Sequence, residues 1–290
     1  MQISVIVTSY QSAQSLERCL ASLCGQAAEI VVVDCSAVNP ALELGARFPA
    51  VRFLHFREKR TVPEMRWAAL KETTGEVVAA VESRCVPDGD WCAKLAAAHA
   101  AHPEAPAVGG PVRLADGAPV RDRAIYLCEY GAFAPPLEEG PAAEISGANL
   151  SYKRAALMEC RDLLEAGRWE ALVHARWLEQ GRRLWLSGAG VGFRNGMSLG
   201  DTLRQRFHYA RSYAADRVAG RPKGEALLRG STAPLLPAVL LGRLWGYCGR
   251  KGLRPMMVKS LAWIALFQAA WSAGECAGYV LGASKERHIY

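Results

Sequence analysis

The sequence predicts an α/β fold with a mostly parallel central sheet, followed by a C-terminal helical extension. Short, continuous Val/Ile runs alternate with amphipathic helical stretches, which is typical of parallel strands buried on both faces. Two later apolar segments, 234–247 and 261–281, predict the helices of the extension. The predicted strands are ISVIVTSY (3–10), EIVVVDCS (29–36), VRFLHF (51–56) and GEVVAAVE (75–82). We expect one domain over residues 1–200 and a helical segment over residues 201–290.

Composition excludes several classes of protein. Hydrophobic residues make up 51% of the 290 residues and charged residues 22%, which is typical of a globular chain and not of a disordered one. The nine cysteines form no CxxC pair and no Cys/His cluster at zinc spacing. This usage predicts buried thiols in a reducing compartment rather than a disulfide scaffold.

The positive charge is concentrated in the extension. Residues 217–259 contain nine Lys or Arg and a single acidic residue, Glu225, so this stretch has a net charge of +8. The whole chain has a net charge of +7, so the remaining residues sum to −1. Apolar helices interleave with these charges, and no nucleic-acid-binding motif is present, so the pattern favours an anionic membrane surface. Arg243, Gln268 and Glu275 interrupt the apolar segments, which therefore predict interfacial helices rather than membrane spans. The alternative is a helical hairpin packed on the first domain or on a second subunit of a homo-oligomer.

Polar side chains end three of the predicted strands. Thr8 and Tyr10 close the first strand, Asp34 the second and Glu82 the fourth. Ligands of parallel α/β sheets bind at the carboxyl ends of the strands, so these side chains predict a ligand site. The first strand–helix turn, TSYQSAQS, has no glycine, which excludes the dinucleotide-binding fingerprint and the P-loop. A nucleotide bound here must be held by side chains.

Five segments in this order resemble family 2 glycosyltransferases of the GT-A fold. They are SVIVTSYQSAQSLERCLASL, VVVDCS, the fourth strand with VPDGDW, GANLSYKR (147–154) and WEALVHARWLEQGRRL (169–184). The resemblance covers about the first two-thirds of the chain. It implies a GT-A nucleotide-binding sandwich and an inverting sugar transfer from a nucleotide-sugar donor. The implied acceptor is a saccharide or a lipid-linked molecule, met at the cytoplasmic face of a bacterial inner membrane during synthesis of a cell-envelope polysaccharide.

The resemblance implies donor-binding roles for several residues. Thr8, Tyr10 and Asp34 take the positions that grip the nucleobase, and a carboxylate there can accept the imide hydrogen of uracil, which favours a UDP-linked donor. Arg66 matches an arginine that lies near the donor in the family. The alternative for Asp34 is that it caps the helix that follows.

The family's metal-binding DXD motif falls on Glu82-Ser83-Arg84. Glu82 could hold a Mg²⁺ or Mn²⁺ ion, but a guanidinium at the second position repels a cation and can bind a diphosphate in its place. Many members also carry a histidine on a late strand near the metal, and the corresponding stretch VGFRN (191–195) has none. The sequence is therefore compatible both with a divalent ion as cofactor and with a metal-independent site. The alternative is an ion pair of Arg84 with Glu82 or Asp88 in a catalytically inactive module that binds a nucleotide sugar or a partner enzyme.

The implied catalytic base is Glu170, eleven positions before Gly181. Its alternative role is that of a first-turn glutamate favoured by the helix dipole. The acceptor side is implied to comprise Gly147, Asn149 and Trp169. His174, one turn after Glu170, is interpreted as a satisfied histidine on the helix surface.

A basic helical stretch, LRQRFHYARSYAADR (203–217), follows the resembling region. Arg204, His208 and Arg211 recur at helical spacing, and Arg206 lies among them. By resemblance, Arg204, Arg206 and His208 are candidates for binding phosphates of the donor or of a lipid carrier. The alternative is a solvated charged face.

Overall fold

The computed structural model describes residues 1–168 and 170–283. The strands are β1 (Ile3–Ser9), β2 (Glu29–Asp34), β3 (Val51–His55), β4 (Val77–Glu82), β5 (Cys85–Pro87), β6 (Ala107–Gly109), β7 (Val112–Leu114), β8 (Gly140–Ala142), β9 (Asn149–Lys153), β10 (Leu184–Leu186) and β11 (Val191–Phe193). The helices are α1 (Ala13–Leu23), α2 (Ala41–Leu44), α3 (Val62–Leu70), α4 (Trp91–Ala101), α5 (Val120–Tyr130), α6 (Arg154–Met158), α7 (Arg161–Glu165), α8 (Ala171–Glu179), α9 (Leu199–Arg217), α10 (Lys223–Thr232), α11 (Leu236–Arg250), α12 (Arg254–Lys259) and α13 (Leu261–Leu281).

The chain divides into two units by its internal contacts. The first unit comprises Met1–Ala115 and Phe133–Arg194, and the second comprises Asp116–Ala132 and Asn195–Tyr290. Helix α5 therefore groups with the C-terminal helices, although it lies in the middle of the sequence. The predicted domain boundary near residue 200 stays a prediction.

The first unit is built on an eight-stranded sheet in the order β3-β2-β1-β4-β9-β6-β10-β8. Strands β1 to β4 run parallel, β9 is antiparallel to both of its neighbours, and β10 returns parallel to β6. A second, three-stranded sheet has the order β5-β11-β7. The predicted α/β fold with a mostly parallel central sheet and a helical extension is confirmed.

The Val/Ile runs form the core of this unit, because the central strands are buried on both faces. Every residue of β1 is buried, and so are all but the last residue of β4. Helix α1 buries the face that its sequence predicts, with Leu16, Cys19 and Leu20 fully inaccessible. Burial of such side chains is worth about 1.5–3 kcal/mol each, which holds the helix in place beside the end of β1.

The second unit is organised around a close pair of helices, α9 and α13. Gly278 of α13 packs directly on the backbone of α9 at Arg211 and on the Cβ of Ala214, and Gly274 makes the equivalent contact one turn earlier. Small residues four apart allow two helix backbones to approach closely. None of the described helices is long and apolar enough to cross a membrane.

The polar residues that interrupt the second apolar segment face the inside of this unit. Glu275 is buried, and its carboxylate accepts hydrogen bonds from Trp271 Nε1 at 2.7 Å and Tyr279 Oη at 2.9 Å. Ser272 Oγ donates to the carbonyl of Ala233 at 2.8 Å. These side chains bind protein groups, so α13 is the central helix of the unit rather than an amphipathic surface helix.

We predict that Gly278→Ala destabilises the protein by about 1–3 kcal/mol, the usual cost of overpacking. The new Cβ would overlap with the Arg211 carbonyl oxygen and lie 2.8 Å from the Ala214 Cβ, so the two backbones would have to separate. Thermal unfolding followed by circular dichroism measures the change. Gly242→Ala on α11 is the matched control, because its Cβ would enter open space. Higher helix propensity should make that variant slightly more stable. An unchanged melting temperature for Gly278→Ala would show that the helices are not in close contact.

Candidate active site

The polar ends of β1, β2 and β4 lie side by side. In the parallel registers of β1 with its two neighbours, Ser9 pairs with Asp34 and Thr8 pairs with Glu82. A hydroxyl chain extends this edge, since Ser12 Oγ lies 3.3 Å from Ser9 Oγ and 2.7 Å from Ser83 Oγ. The structure thus gathers the strand-end residues that the sequence singles out, and half-buried Tyr10 follows directly after β1.

Asp34 is buried and anchored by a local turn. Its Oδ1 accepts from the Ser36 backbone N at 2.7 Å, and its Oδ2 accepts from Ser36 Oγ at 2.8 Å. His55, at the end of β3, places Nδ1 3.3 Å from Asp34 Oδ1. The alternative of a helix cap is wrong, because the first N–H of α2, that of Ala41, bonds to Asn39 Oδ1 instead. His55 was missed in the sequence, where a histidine at a strand end carries no motif of its own.

The Glu82-Ser83-Arg84 motif contains an internal ion pair. Arg84 Nη2 lies 3.0 Å from Glu82 Oε2, and its guanidinium lies over the Phe193 ring at 5.5 Å from the centroid. Of the two alternative partners expected for Arg84, Glu82 is therefore the one observed. Asp88 forms an ion pair with Arg113.

A pocket of about 310 Å³ opens beside this motif within the first unit. Its polar lining comprises Ser15 and Arg18 from α1, Ser83 and Arg84 after β4, and Arg194 after β11. Arg18 and Arg194 were missed as candidate site residues. Arg194 belongs to the stretch VGFRN, which the sequence marks only by the absence of a histidine. Arg18 is exposed and follows the buried Ser15 at helical spacing on α1, which is the only signal that points to it.

The residues near the motif do not fit a divalent cation held by protein side chains. Glu82 is paired with Arg84, and three guanidinium groups line the adjacent pocket. Over residues 1–168 and 170–283, no group of three or more His, Cys, Asp or Glu side chains could hold a metal ion. Magnesium and manganese prefer several oxygen ligands, and a single paired carboxylate supplies too few.

Glu170, the candidate base, is held between an arginine and a glycine. It forms an ion pair with Arg66, whose side chain is 1% exposed, and Arg66 Nη2 also donates to the Gly147 carbonyl at 2.8 Å. A Cβ at Gly147 would collide with the Glu170 carboxylate, so any side chain there would displace the carboxylate from this position. The Glu170 side chain remains 28% exposed. Arg66 thus contacts the predicted base and one predicted acceptor-side residue, Gly147, and its predicted role at the donor stays a prediction.

His174 is buried, which corrects its interpretation as a surface histidine. Its Nε2 lies 3.0 Å from Tyr152 Oη, and its backbone N bonds to the Glu170 carbonyl at 2.7 Å. Burial, and secondly the positive charge of Arg66, lower the pKa of His174 to about 4. The imidazole is therefore neutral at physiological pH, and its contact with Tyr152 joins α8 to β9.

Comparison with known proteins identifies the family. Residues 4–159, more than half of the chain, match the model of glycosyl transferase family 2. The chain belongs to this family. Membership supports glycosyltransferase activity with a nucleotide-sugar donor. A comparison with curated protein sequences found no match.

Solved structures show the same fold at low sequence identity. The mannosyltransferase PcManGT from Pyrobaculum calidifontis, in complex with GDP-Man and Mn²⁺, is 16% identical with a TM-score of 0.57, over 96% of this chain and 86% of that one. TarS 1–349 of S. aureus is 16% identical with a TM-score of 0.51, over 96% and 89%. GalNAc-T7 with UDP, GalNAc and Mn²⁺ is 14% identical with a TM-score of 0.51, over 67% of this chain and 44% of that one.

Asn149 of this glycosyltransferase is a structural clamp, which corrects its prediction as an acceptor-side residue. The side chain is fully buried, and Oδ1 accepts from Trp91 Nε1 at 2.8 Å. Its Nδ2 donates to the carbonyls of Pro111 and Ala189 at 3.0 and 2.8 Å. Every polar atom thus binds the protein, and no surface remains for an acceptor. Trp169, the other predicted wall of the acceptor side, lies outside the described residues.

The basic residues of α9 do not form one phosphate-binding stripe. Arg206 is buried, donating from Nε to the Phe267 carbonyl at 3.0 Å with its guanidinium 5.1 Å from the Trp271 ring centroid, so its prediction as a phosphate ligand is wrong. Arg204 is exposed and pairs with Asp201 at 3.1 Å, as a solvated face would. His208 is half-buried, and its role stays a prediction.

We predict that Asn149→Ala lowers stability by about 3 kcal/mol or more, because the buried Trp91 N–H and two buried carbonyls lose their partner. Chemical denaturation measures the loss. The KM for the acceptor should not change, since the side chain contacts no solvent. Asn39→Ala, which loses one half-buried bond to Ala41, is the control and should cost about 1 kcal/mol. A stable Asn149→Ala enzyme with a raised acceptor KM would restore the acceptor-side role.

Proposed function

We propose that this enzyme is an inverting glycosyltransferase that moves a sugar from a UDP-linked donor to a hydroxyl of a saccharide or lipid-linked acceptor. The observation that carries the proposal is the strand register that brings Thr8, Asp34 and Glu82 to one edge of the sheet in a family 2 chain. Such an edge is where α/β folds bind nucleotides.

Glu170 is the proposed general base. The acceptor oxygen attacks the anomeric carbon, its proton passes to the Glu170 carboxylate, and the nucleoside diphosphate leaves with the electrons of the broken C–O bond. Arg66 and Gly147 support this role, since together they fix one carboxylate position while leaving the group partly exposed. Among the described residues that are not glycine, positive φ occurs at Gln11 and Glu170 alone. Such backbone strain is concentrated at functional sites.

Asp34 is proposed to read the nucleobase. A carboxylate oxygen can accept two hydrogen bonds, so the bond from Ser36 Oγ leaves one lone pair of Oδ2 for the imide N–H of uracil. The turn with Ser36 and the nearby His55 orient the carboxylate in advance. A preorganised acceptor of this kind favours uridine over bases that present no N–H at this position.

We predict that Glu170→Gln lowers turnover by a factor of about 10² to 10⁴, because the proton acceptor is lost, and leaves UDP affinity unchanged, because the donor site is not altered. The ion pair with the buried Arg66 is lost as well, so the variant should also be less stable. Gly147→Ala should reduce turnover independently, since its Cβ displaces the intact carboxylate. Sugar transfer and UDP titration calorimetry measure the two effects, with thermal melts as the folding check. Gly89→Ala, whose Cβ would enter open space, is the control.

Two outcomes of that experiment would contradict the proposal. Activity of Glu170→Gln within a few-fold of wild type would place the base elsewhere. Failure of the wild-type protein to turn over any donor, with or without divalent ions, would favour the alternative of an inactive module that binds a nucleotide sugar or a partner enzyme. The ion pairs of Glu82 with Arg84 and of Glu170 with Arg66 are the observations that favour this second candidate.

The second unit is proposed to dock on an anionic membrane, at the cytoplasmic face of a bacterial inner membrane. Large apolar side chains are exposed on its helices at Leu227, Leu228, Leu235, Val239 and Trp245. Cationic side chains lie among them, and the guanidinium of Arg254 stacks on the Trp245 ring at 4.7 Å. Exposed aliphatic and tryptophan side chains beside a strong cationic excess suit the interface of an anionic bilayer.

We predict that vesicle binding rises with anionic lipid content and falls with salt. Leu227→Glu with Leu228→Glu should weaken binding by at least about tenfold, because two side chains lose their burial in lipid. Cosedimentation with phosphatidylglycerol-containing vesicles measures both effects. Leu42→Glu, which changes an even more exposed leucine of the first unit, should bind as wild type does. Absence of vesicle binding together with a dimer that the paired variant dissociates would favour the homo-oligomer instead.

A further inference from the structure

The pocket beside β4 has a lining whose charged groups are all cationic. Three guanidinium groups, those of Arg18, Arg84 and Arg194, surround it together with the hydroxyls of Ser15 and Ser83. At about 310 Å³ it lies at the small end of ligand-binding pockets, which suits a phosphate-bearing group better than a whole nucleotide sugar. Its lining includes no carboxylate.

The positive charge of this lining is only partly compensated. Arg84 is paired with Glu82 at 3.0 Å. In the described part of the chain, no carboxylate forms an ion pair with Arg18 or Arg194. Glu17, next to Arg18 on α1, pairs with Arg47 at 2.6 Å. Three cationic groups around one cavity repel each other, and a bound anion is the ligand that removes this repulsion.

The hydroxyls and α1 add donors to the same cavity. Arg18 Nη2 donates to Ser15 Oγ at 3.0 Å, which orients the guanidinium along the pocket wall. Ser83 Oγ lies 2.7 Å from Ser12 Oγ, at the start of the eleven-residue helix α1. The positive end of the helix dipole therefore reinforces the arginines on this side. The hydroxyl chain also connects the pocket to the ends of β1 and β4.

We propose that Arg18, Arg84 and Arg194 bind a phosphate or diphosphate group directly in this pocket, where three guanidinium charges take the place of a divalent cation. Guanidinium stays charged at any physiological pH and matches phosphate oxygens in a bidentate geometry. Two sources carry this chemistry: the diphosphate of the nucleotide-sugar donor, or a phosphate of a lipid-linked acceptor. The donor source rests on the proposed function, whereas the anion-binding pocket does not.

The test is titration calorimetry of the full chain with UDP, uridine and inorganic pyrophosphate, each in excess EDTA. The variants are Arg18→Ala, Arg194→Ala and the double variant. Arg194→Lys keeps the positive charge but loses the planar guanidinium that can bind a phosphate through two parallel hydrogen bonds. Arg161→Ala is the control, because Arg161 is an exposed arginine of the same unit that is paired with Glu165 outside the pocket. Arg18 and Arg194 are exposed, and thermal melts verify that all variants fold.

We expect UDP and pyrophosphate to bind wild type without metal and to lose about tenfold or more in affinity for each arginine removed, the usual effect of a charge-assisted hydrogen bond. Uridine, which has no phosphate, should be insensitive to the variants. Arg194→Lys should fall between wild type and Arg194→Ala, and Arg161→Ala should equal wild type. This result would support phosphate binding in the pocket and would identify the bound group as the diphosphate of the donor.

The remaining outcomes separate the pocket from the proposed function. Pyrophosphate binding that the variants weaken, without any UDP binding, supports the pocket, assigns it to an acceptor phosphate and removes UDP as the donor. UDP binding that requires Mg²⁺ or Mn²⁺, or that the variants leave unchanged, would contradict phosphate binding by the three arginines. The proposed transferase activity would not be affected by that result. Absence of binding by both UDP and pyrophosphate would also contradict phosphate binding by the three arginines, while sugar transfer with Glu170→Gln tests the base separately.

Discussion

The parallel pairing of β1 with β2 and β4 is the constraint on which the site depends. This pairing places Ser9 opposite Asp34 and Thr8 opposite Glu82, so residues far apart in sequence meet at one edge. A slip of one residue in this pairing would move every side chain of β1, including those of its polar end, to the opposite face of the sheet. The buried side chains of the strand exclude that slip, because every one of them would have to be repacked. The energy of the core thereby determines the geometry of the strand ends.

Arginines, rather than metal-binding carboxylates, dominate the electrostatics around this edge. Arg84 neutralises Glu82, Arg66 neutralises Glu170, and Arg18 and Arg194 add charge to the pocket wall. Arg66 is the most buried of the four, and removing one partner of such a pair leaves a charge without compensation at a cost of about 3–5 kcal/mol. The ion pair with Arg66 therefore links the position of the candidate base to the stability of the first unit.

Close packing organises the second unit, and its apolar surface is a separate feature. Gly274 and Gly278 allow α13 to lie against α9, and the buried Glu275 is stabilised by hydrogen bonds from Trp271 and Tyr279. The apolar side chains that remain exposed lie on other parts of the unit, such as Leu227 and Trp245. These exposed side chains are the ones that the proposed docking on a membrane would cover.

The sequence by itself determined the α/β class, the first four strands, the buried face of α1 and the resemblance to the family. These follow from local periodicity and from short motifs, which do not depend on distant residues. It also singled out Asp34, Glu82, Arg84 and Glu170. Tertiary structure alone decided which of the polar residues are accessible. The sequence predicts Asn149 and Arg206 as ligands, but both are buried and donate hydrogen bonds to distant backbone carbonyls. Arg18 and Arg194 carry no motif and line one pocket only because the fold brings α1 and the end of β11 together. Burial and long-range partners are set by the packing of segments far apart in the chain, and for that reason no local pattern could reveal them.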